Sequence, residues 1–281
     1  MDDKGTVDEN EQRNLELVRD KLNEVLNGKP VSRFLRAKIE ELIAADKMSL
    51  DLLGIKHDTD KASVANEPKG FEFSHDYLRH YEFFFDRYRA EEFALVEFGC
   101  YKGASMRMWK EYFPRAEIYG IDLDESVVQY EEDRIHILIG DATKVETYTM
   151  LKKALGGVRP FIIIDDASHA WSDQRRSLEL FWKMLAPGGF YVVEDLECGS
   201  KGAYEDYPPD ILDARPFFNY VQDRCSLLRW SPKRRGFVST DKSFTQLPEM
   251  IFKFMITLDS CHFIPGAILM HKNPIHPPWE R

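Results

Sequence analysis

The sequence predicts an α/β domain built on a mostly parallel sheet, and three observations carry that expectation. First, short apolar runs alternate with helical stretches from about residue 93: A-L-V-E-F, E-I-Y-G-I-D, I-H-I-L-I-G-D, F-I-I-I-D-D and F-Y-V-V-E-D. Runs that are apolar on both faces and separated by helices indicate parallel strands buried on both sides. Second, four of the five runs end in an acid or lead directly into one, and the first carries Glu97 one residue before its end. Ligands of open α/β sheets bind at the carboxyl ends of strands, so a row of acids there reads as a functional rim. Third, S-C-H-F-I-P-G-A-I-L-M-H-K near the end reads as two strands turning at Pro265-Gly266, an antiparallel hairpin at the sheet edge.

The elements outside that core are read in chain order. Residues 1–12 are polar and aperiodic, which marks a mobile terminus. Residues 13–90 form a helical extension and lid. Leu15, Val18, Leu22, Val25 and Leu26 make one amphipathic face that Gly28 and Pro30 stop, and a second helix runs from Ser32 to about Ala45. These two helices either cover the site or form a contact between subunits of a homo-oligomer. Residues 91–281 are the α/β domain, with an insertion at about 197–250. The insertion opens on E-C-G-S-K-G-A-Y-E-D-Y-P-P, continues as a helix from about Ile211 to Leu228, and then carries the basic run Lys233-Arg234-Arg235. That run is read as a solvated loop, with a local anion patch as its alternative.

Composition narrows the function classes. The 281 residues suit one α/β core with extensions, and 43% hydrophobic residues are enough to fill it. A formal charge of -10 repels phosphate backbones and argues against a general nucleic-acid binder. The sequence shows no signal peptide and no apolar run of the ~20 residues that a membrane helix needs. Cys100, Cys198, Cys225 and Cys261 lie far apart with no metal spacing, which suits free thiols in a cytoplasmic protein.

V-E-F-G-C-Y-K-G-A-S (Val96 to Ser105) reads as a strand, a glycine turn and a helix start. Gly99 permits the sharp turn and Gly103 a close helix approach, with helix amides facing a ligand. Tyr101 stands where a dinucleotide loop has its middle glycine, so the spacing is E-x-G-x-x-x-G. Asp122, closing the second strand, is placed to accept from both hydroxyls of a ribose. Asp141, in G-D-A after the third strand, is placed to meet an adenine amino group. Glu97, Tyr101, Ser105, Ala142 and Asp165 lie beside these positions and complete the candidate cofactor set. Helix capping is the alternative for Asp122 or Asp141 taken singly. At these residues, together with Pro187-Gly188-Gly189 and the closing hairpin, the chain resembles class I methyltransferases. The resemblance implies a Rossmann-like sheet that holds S-adenosylmethionine.

D-D-A-S-H (Asp165 to His169) and Glu194-Asp195 end the adjacent strands four and five, so their side chains can converge. Carboxylates gathered without a basic partner repel one another and raise each other's pKa. A hard divalent cation resolves this, and oxygen ligation favours magnesium over zinc. If the following helix starts at Asp166, His169 lies about one turn further on, beside the metal. The alternative is that Asp165, Asp166 or Ser168 caps that helix and that His169 is a surface residue.

Thr59-Asp60-Lys61, then His75 to Phe85, Y-K-G-A-S, D-D-A-S-H and V-V-E-D narrow the resemblance, over about residues 52 to 196, to metal-dependent sugar O-methyltransferases of macrolide biosynthesis. That resemblance implies Asp166, Glu194 and Asp195 as ligands of Mg2+ and His169 as general base. It also implies a small-molecule acceptor hydroxyl, in such pathways a glycosylated one. Lys61 is then a lid contact near the methionine end of the cofactor, or part of a plain loop. An Fe(II) oxygenase resembling cephalosporin hydroxylase and a non-catalytic cofactor-binding scaffold are the competing readings.

Overall fold

The computed structural model describes residues 16, 17, 20, 48–64, 74–198, 214–225, 229–231, 236–238 and 249–274. The expected terminus (1–12), the second N-terminal helix and most of the first lie outside them. So does the basic run at 233–235. The chain divides into two compact units, residues 1–91 with 102–116, and residues 92–101 with 117–281.

The first unit is helical: α1 (Leu50–His57), α2 (Leu78–Phe85) and α3 (Ala104–Tyr112). Ser49 starts α1 by accepting a bond from the Leu52 amide at 3.2 Å. Asp58 ends it in the left-handed conformation. Tyr77, Tyr81 and Phe85 recur every four residues, so they form one stripe. That stripe meets Trp109 and Phe113, one turn apart at the other side of the core. Ring centroids stand 6.5 Å apart for Tyr81–Trp109 and 6.4 Å for Phe85–Phe113. All five rings are buried. At the surface of this unit, Glu111 accepts from Lys56 at 2.7 Å and contacts His57 at 2.8 Å.

The second unit is the sheet, with β1 (Ala94–Phe98), β2 (Glu117–Asp122), β3 (Ile135–Ile139), β4 (Pro160–Asp165), β5 (Phe190–Val193), β8 (Leu258–Ile264) and β9 (Ala267–Lys272). Their order is β3-β2-β1-β4-β5-β9-β8. The first five pair in parallel, and β9 and β8 add as the antiparallel hairpin. This is the expected sheet: four of its five parallel strands fall within the apolar runs, and β4 starts one residue ahead of its run, at Pro160. Central β1 is buried at every position, whereas edge strand β3 alternates, as burial on two faces against one requires. Helices α4 (Val145–Ala154) and α5 (Trp171–Phe181) supply Leu151, Leu178 and Phe181 to the core. Phe98 and Phe181 meet at 4.7 Å. The described parts of the insertion are α6 (Ala214–Cys225), a ribbon of β6 (Arg229–Ser231) with β7 (Gly236–Val238), and α7 (Glu249–Thr257). α6 lies within the expected helix.

The carbonyls left over after α5 are met by cations. Arg159 donates to the carbonyls of Lys183 and Leu185 at 2.8 Å each, and buried Lys272 donates to those of Trp182 and Leu185 at 3.1 Å. The P-G-G turn into β5 has a steric reason, since a Cβ on Gly189 would stand 2.5 Å from the Phe161 carbonyl oxygen. Among the described residues no helix is long and apolar enough to cross a membrane.

The aromatic stripe predicts where the helical unit is weakest. Trp109→Ala should lower unfolding stability by about 3–5 kcal/mol, the range for deleting a buried large ring. A denaturant titration that reads ring burial by fluorescence in an added-Trp background would check it.

Candidate active site

The sheet order reverses between β1 and β4, which opens a crevice at their carboxyl ends. The loops leaving those two strands meet there. The Asp166 amide donates to the Phe98 carbonyl at 3.0 Å, and Gly99 sits at φ +90. A Cβ on Gly99 would lie 2.1 Å from the Asp166 carbonyl oxygen. Gly99 is therefore demanded twice, by its backbone angle and by the Asp166 backbone lying against it. The sequence indicated the turn and gave no sign of the second requirement.

Asp122 ends β2 and holds the same glycine turn from the other side. Its Oδ2 accepts from the Cys100 amide at 2.7 Å and the Tyr101 amide at 3.2 Å, and its Oδ1 from the Asp124 amide at 3.0 Å. A carboxylate offers about four acceptor sites, so roughly one remains for a ligand. Tyr101 is held at φ +43 with its side chain 63% exposed. Glu97 is buried in β1, and Cys100 beside it has its thiol pKa pushed well up by burial and by the charges of Glu97 and Asp122. Asp141 accepts from the amide and hydroxyl of Thr143 at 2.8 and 2.7 Å, with Lys144 at 3.7 Å. Desolvation raises its pKa, but the Thr143 bonds and the Lys144 charge together outweigh it and lower the pKa. Its Oδ1 thus closes an Asx turn ahead of α4, and Ala142 is part of that turn. Gly103, Ser105 and Lys61 fall in the helical unit. Gly103 starts α3 at φ +68, Ser105 is buried in its first turn, and Lys61 is 1% exposed, its carbonyl accepting from the Tyr77 amide at 2.9 Å.

Asp165, the last residue of β4, is 2% exposed and accepts a short bond from the Ser177 hydroxyl. Burial pushes its pKa up to about 7, with the bonds from Ser177 and the Ala167 amide opposing and the charges of Asp166 and Asp173 adding. The Tyr191 hydroxyl contacts Ser177 at 3.3 Å. This carboxyl is thus tied to α5 and β5.

The chain does not turn helical at Asp166. Residues 166–170 are a loop, Ala170 precedes the first turn of α5, and neither aspartate caps it. Ser168 makes the local contact, donating to Asp173 at 2.8 Å. His169 takes φ +58 in that loop, and so reaches its place by a left-handed backbone and not by one helical turn. Its Nδ1 lies 3.6 Å from Asp195 Oδ2 and is buried without a hydrogen-bond partner. Ligand atoms of Asp166, His169 and Asp195 lie within 4.8 Å of one another. Two of the three expected metal ligands are therefore brought together, with the histidine among them. Glu194 is buried beside Asp195 and is not in that group. Two carboxylates and one imidazole around a buried, unpartnered ring nitrogen suit a small divalent cation.

No family model matches the chain. It is 32% identical over 183 residues to 8-demethyl-8-alpha-L-rhamnosyl tetracenomycin-C 2'-O-methyltransferase of Streptomyces olivaceus, covering 60% of this chain and 45% of that one. It is 38% identical over 135 residues to mycinamicin VI 2''-O-methyltransferase of Micromonospora griseorubida, covering 45% and 33%. The chain thus spans less than half the length of these curated relatives. Among solved structures, the MycE methyltransferase of the mycinamycin biosynthetic pathway, in complex with Mg and SAH, superposes with TM-score 0.60 at 25% identity, over 85% of this chain and 60% of that one.

Two substitutions test the crevice. Gly99→Ala should cost on the order of 3–5 kcal/mol, because strain at φ > 0 adds to a backbone clash. A loss below about 1 kcal/mol in urea unfolding would mean that the two loops separate easily. Ser177→Ala should cost about 1–3 kcal/mol by leaving the buried Asp165 carboxyl short of a donor, read by the same titration. By its sheet and its matched segment, the chain is a relative of the sugar O-methyltransferases, built on a Rossmann-like class I methyltransferase fold.

Proposed function

We propose that the chain is an S-adenosylmethionine-dependent, Mg2+-dependent O-methyltransferase that acts on a hydroxyl of a sugar or small glycosylated natural product. The observation that carries this reading is the convergence of Asp166, Asp195 and His169 at the ends of β4 and β5, next to the glycine turn. The relatives' printed names support the reaction, and a MycE complex holding Mg and SAH supports both cofactors.

In this reading Asp122 uses its remaining acceptor site for a ribose hydroxyl, and Asp141 and Ala142 flank the adenine. Glu97, Gly99, Tyr101 and Asp165 belong to the cofactor's surroundings in the sheet unit, with Asp165 acting through its bond to Ser177. Asp166 and Asp195, with Glu194 beside them, hold the cation. When bound, the cation makes the acceptor hydroxyl more acidic and fixes its direction. His169 takes the hydroxyl proton, and the Asp195 carboxylate beside Nδ1 steadies the charge that the ring gains. The sulfonium is already activated, so the remaining task is alignment of oxygen, methyl and sulfur.

The same geometry favours a second role for His169, as a cation ligand through the unpartnered Nδ1. One imidazole with two carboxylates departs from the two-histidine, one-carboxylate set of iron oxygenases. That leaves the methyltransferase reading ahead of the oxygenase and scaffold readings.

Excess EDTA, or Asp166→Ala, should abolish methyl transfer to a rhamnosylated or macrolide acceptor while S-adenosylmethionine still binds in calorimetry. Full turnover in EDTA would defeat the metal-dependent reading. His169→Ala separates the two roles of the imidazole. As base alone, its loss should slow turnover by about 10²–10⁴-fold with cation affinity kept. As ligand, cation affinity should fall with turnover.

A further inference from the structure

The candidate cation site depends on Asp195 keeping an unusual backbone, which hydrogen bonds on either side of it maintain. Asp195 sits at φ +55 just after β5. That region costs a non-glycine residue of order 1–3 kcal/mol and persists only where the surroundings over-determine it. Here they do. The Glu194 amide donates to the Asp165 carbonyl at 3.0 Å, the Leu196 amide to the Gly266 carbonyl at 2.8 Å, and the Cys198 amide to the Asp195 carbonyl at 3.0 Å. The two carbonyls that remain, on either side of Asp195, are taken by side chains of one helix. Gln174 Nε2 donates to the Glu194 carbonyl at 2.8 Å, and Trp171 Nε1 to the Leu196 carbonyl at 2.9 Å.

Gln174 and Trp171 are three residues apart in α5 and so share a face. Gln174 is 1% exposed, and its Oε1 is buried without a hydrogen-bond partner. An apolar side chain of the same volume would spare the unmatched Oε1 but would leave the buried Glu194 carbonyl without its donor. What the glutamine contributes at this position is therefore its hold on the backbone next to Asp195. Ser177, one turn further along α5, bonds Asp165 beside the other acidic loop. A single helix thus indexes both loops on which the candidate ligands lie.

We propose that Gln174 and Trp171 are positioning residues that hold Asp195 in its left-handed conformation for a divalent cation, gripping the backbone on either side of it. The inference rests on the metal-site reading above. The experiment is Mn2+ binding to the full chain, followed by electron paramagnetic resonance, for the parent, Gln174→Met and Trp171→Phe. Gln174→Met keeps the side-chain length and Trp171→Phe keeps an aromatic ring, and both remove the donor. The expected result is a Kd for Mn2+ weakened by about 10–100-fold in each, as for lost partners of metal-site ligands, with S-adenosylmethionine affinity within about twofold of the parent. Folded variants that bind Mn2+ like the parent would overturn the positioning role while leaving the metal site standing. A matching loss of S-adenosylmethionine affinity would show general loosening at the strand ends and also overturn it. A parent that binds no Mn2+ would remove the metal-site reading itself. Should Gln174→Met not fold, Trp171→Phe, at a half-buried position, decides the question.

Discussion

The contact on which the rest of the site depends is the one between Gly99 and the backbone of Asp166. β1 and β4 are neighbours at the point where the strand order reverses, so the loops leaving them must share one small space. The Asp166 amide closes onto Phe98, and its carbonyl fills the volume that any side chain at position 99 would need. The glycine turn expected to face a cofactor and the loop expected to face a metal are thus one packed object. If either loop moved, the carbonyl of fully buried Phe98 would lose the Asp166 amide that satisfies it. A methyl-transfer site needs such coupling, because cofactor and acceptor must be aligned together and not only bound.

Around that contact the acids are arranged by what each one holds. Asp122 binds three backbone amides and thereby fixes the glycine turn. Asp141 shapes the turn before α4. Asp165 is withdrawn into the core against Ser177, where burial favours its protonated form. A row of acids that looks uniform in the sequence is divided between residues that build loops and the Asp166–Asp195 pair that faces His169. The division also lowers repulsion, since carboxylates engaged by amides and hydroxyls do not have to share one solvent space.

The sheet was legible because burial on two faces writes itself into the chain as apolar runs, and the Pro265-Gly266 hairpin because its turn chemistry is local. The acids at strand ends were legible for the same reason. His169 reaches the acids by another route than expected, because the helix starts at Trp171 and not at Asp166, after a loop of residues 166–170 that holds the histidine in the left-handed conformation. Position 194 could not be told from 195, because which of two adjacent acids turns toward the site is decided by backbone angles after β5. Gln174 and Trp171 left no signal at all. On a helix they read as an ordinary polar and an ordinary aromatic residue, and their partners are carbonyls 20 and 25 positions away. The helical unit shows the same limit, since α3 follows the glycine turn in sequence yet packs its Trp109 and Phe113 against α2.

The strained backbones complete the physical account. Outside glycine, positive φ occurs among the described residues at six positions, and three of them, Tyr101, His169 and Asp195, fall on the three loops that meet at this crevice. Aspartate and histidine tolerate the left-handed region better than most residues, which is one reason they can stand there. Tyrosine has no such excuse, and its amide is held by Asp122. Two of the three are fixed by groups that are themselves fixed: Tyr101 by Asp122 at the end of β2, and the backbone on either side of Asp195 by the α5 side chains and the hairpin turn at Gly266. At these two positions the strain is sustained by partners outside the loop that carries it. That explains why an ordinary Rossmann-like core, with an edge hairpin and one well-placed helix, is sufficient to bring ligand atoms of two carboxylates and an imidazole within 4.8 Å of one another.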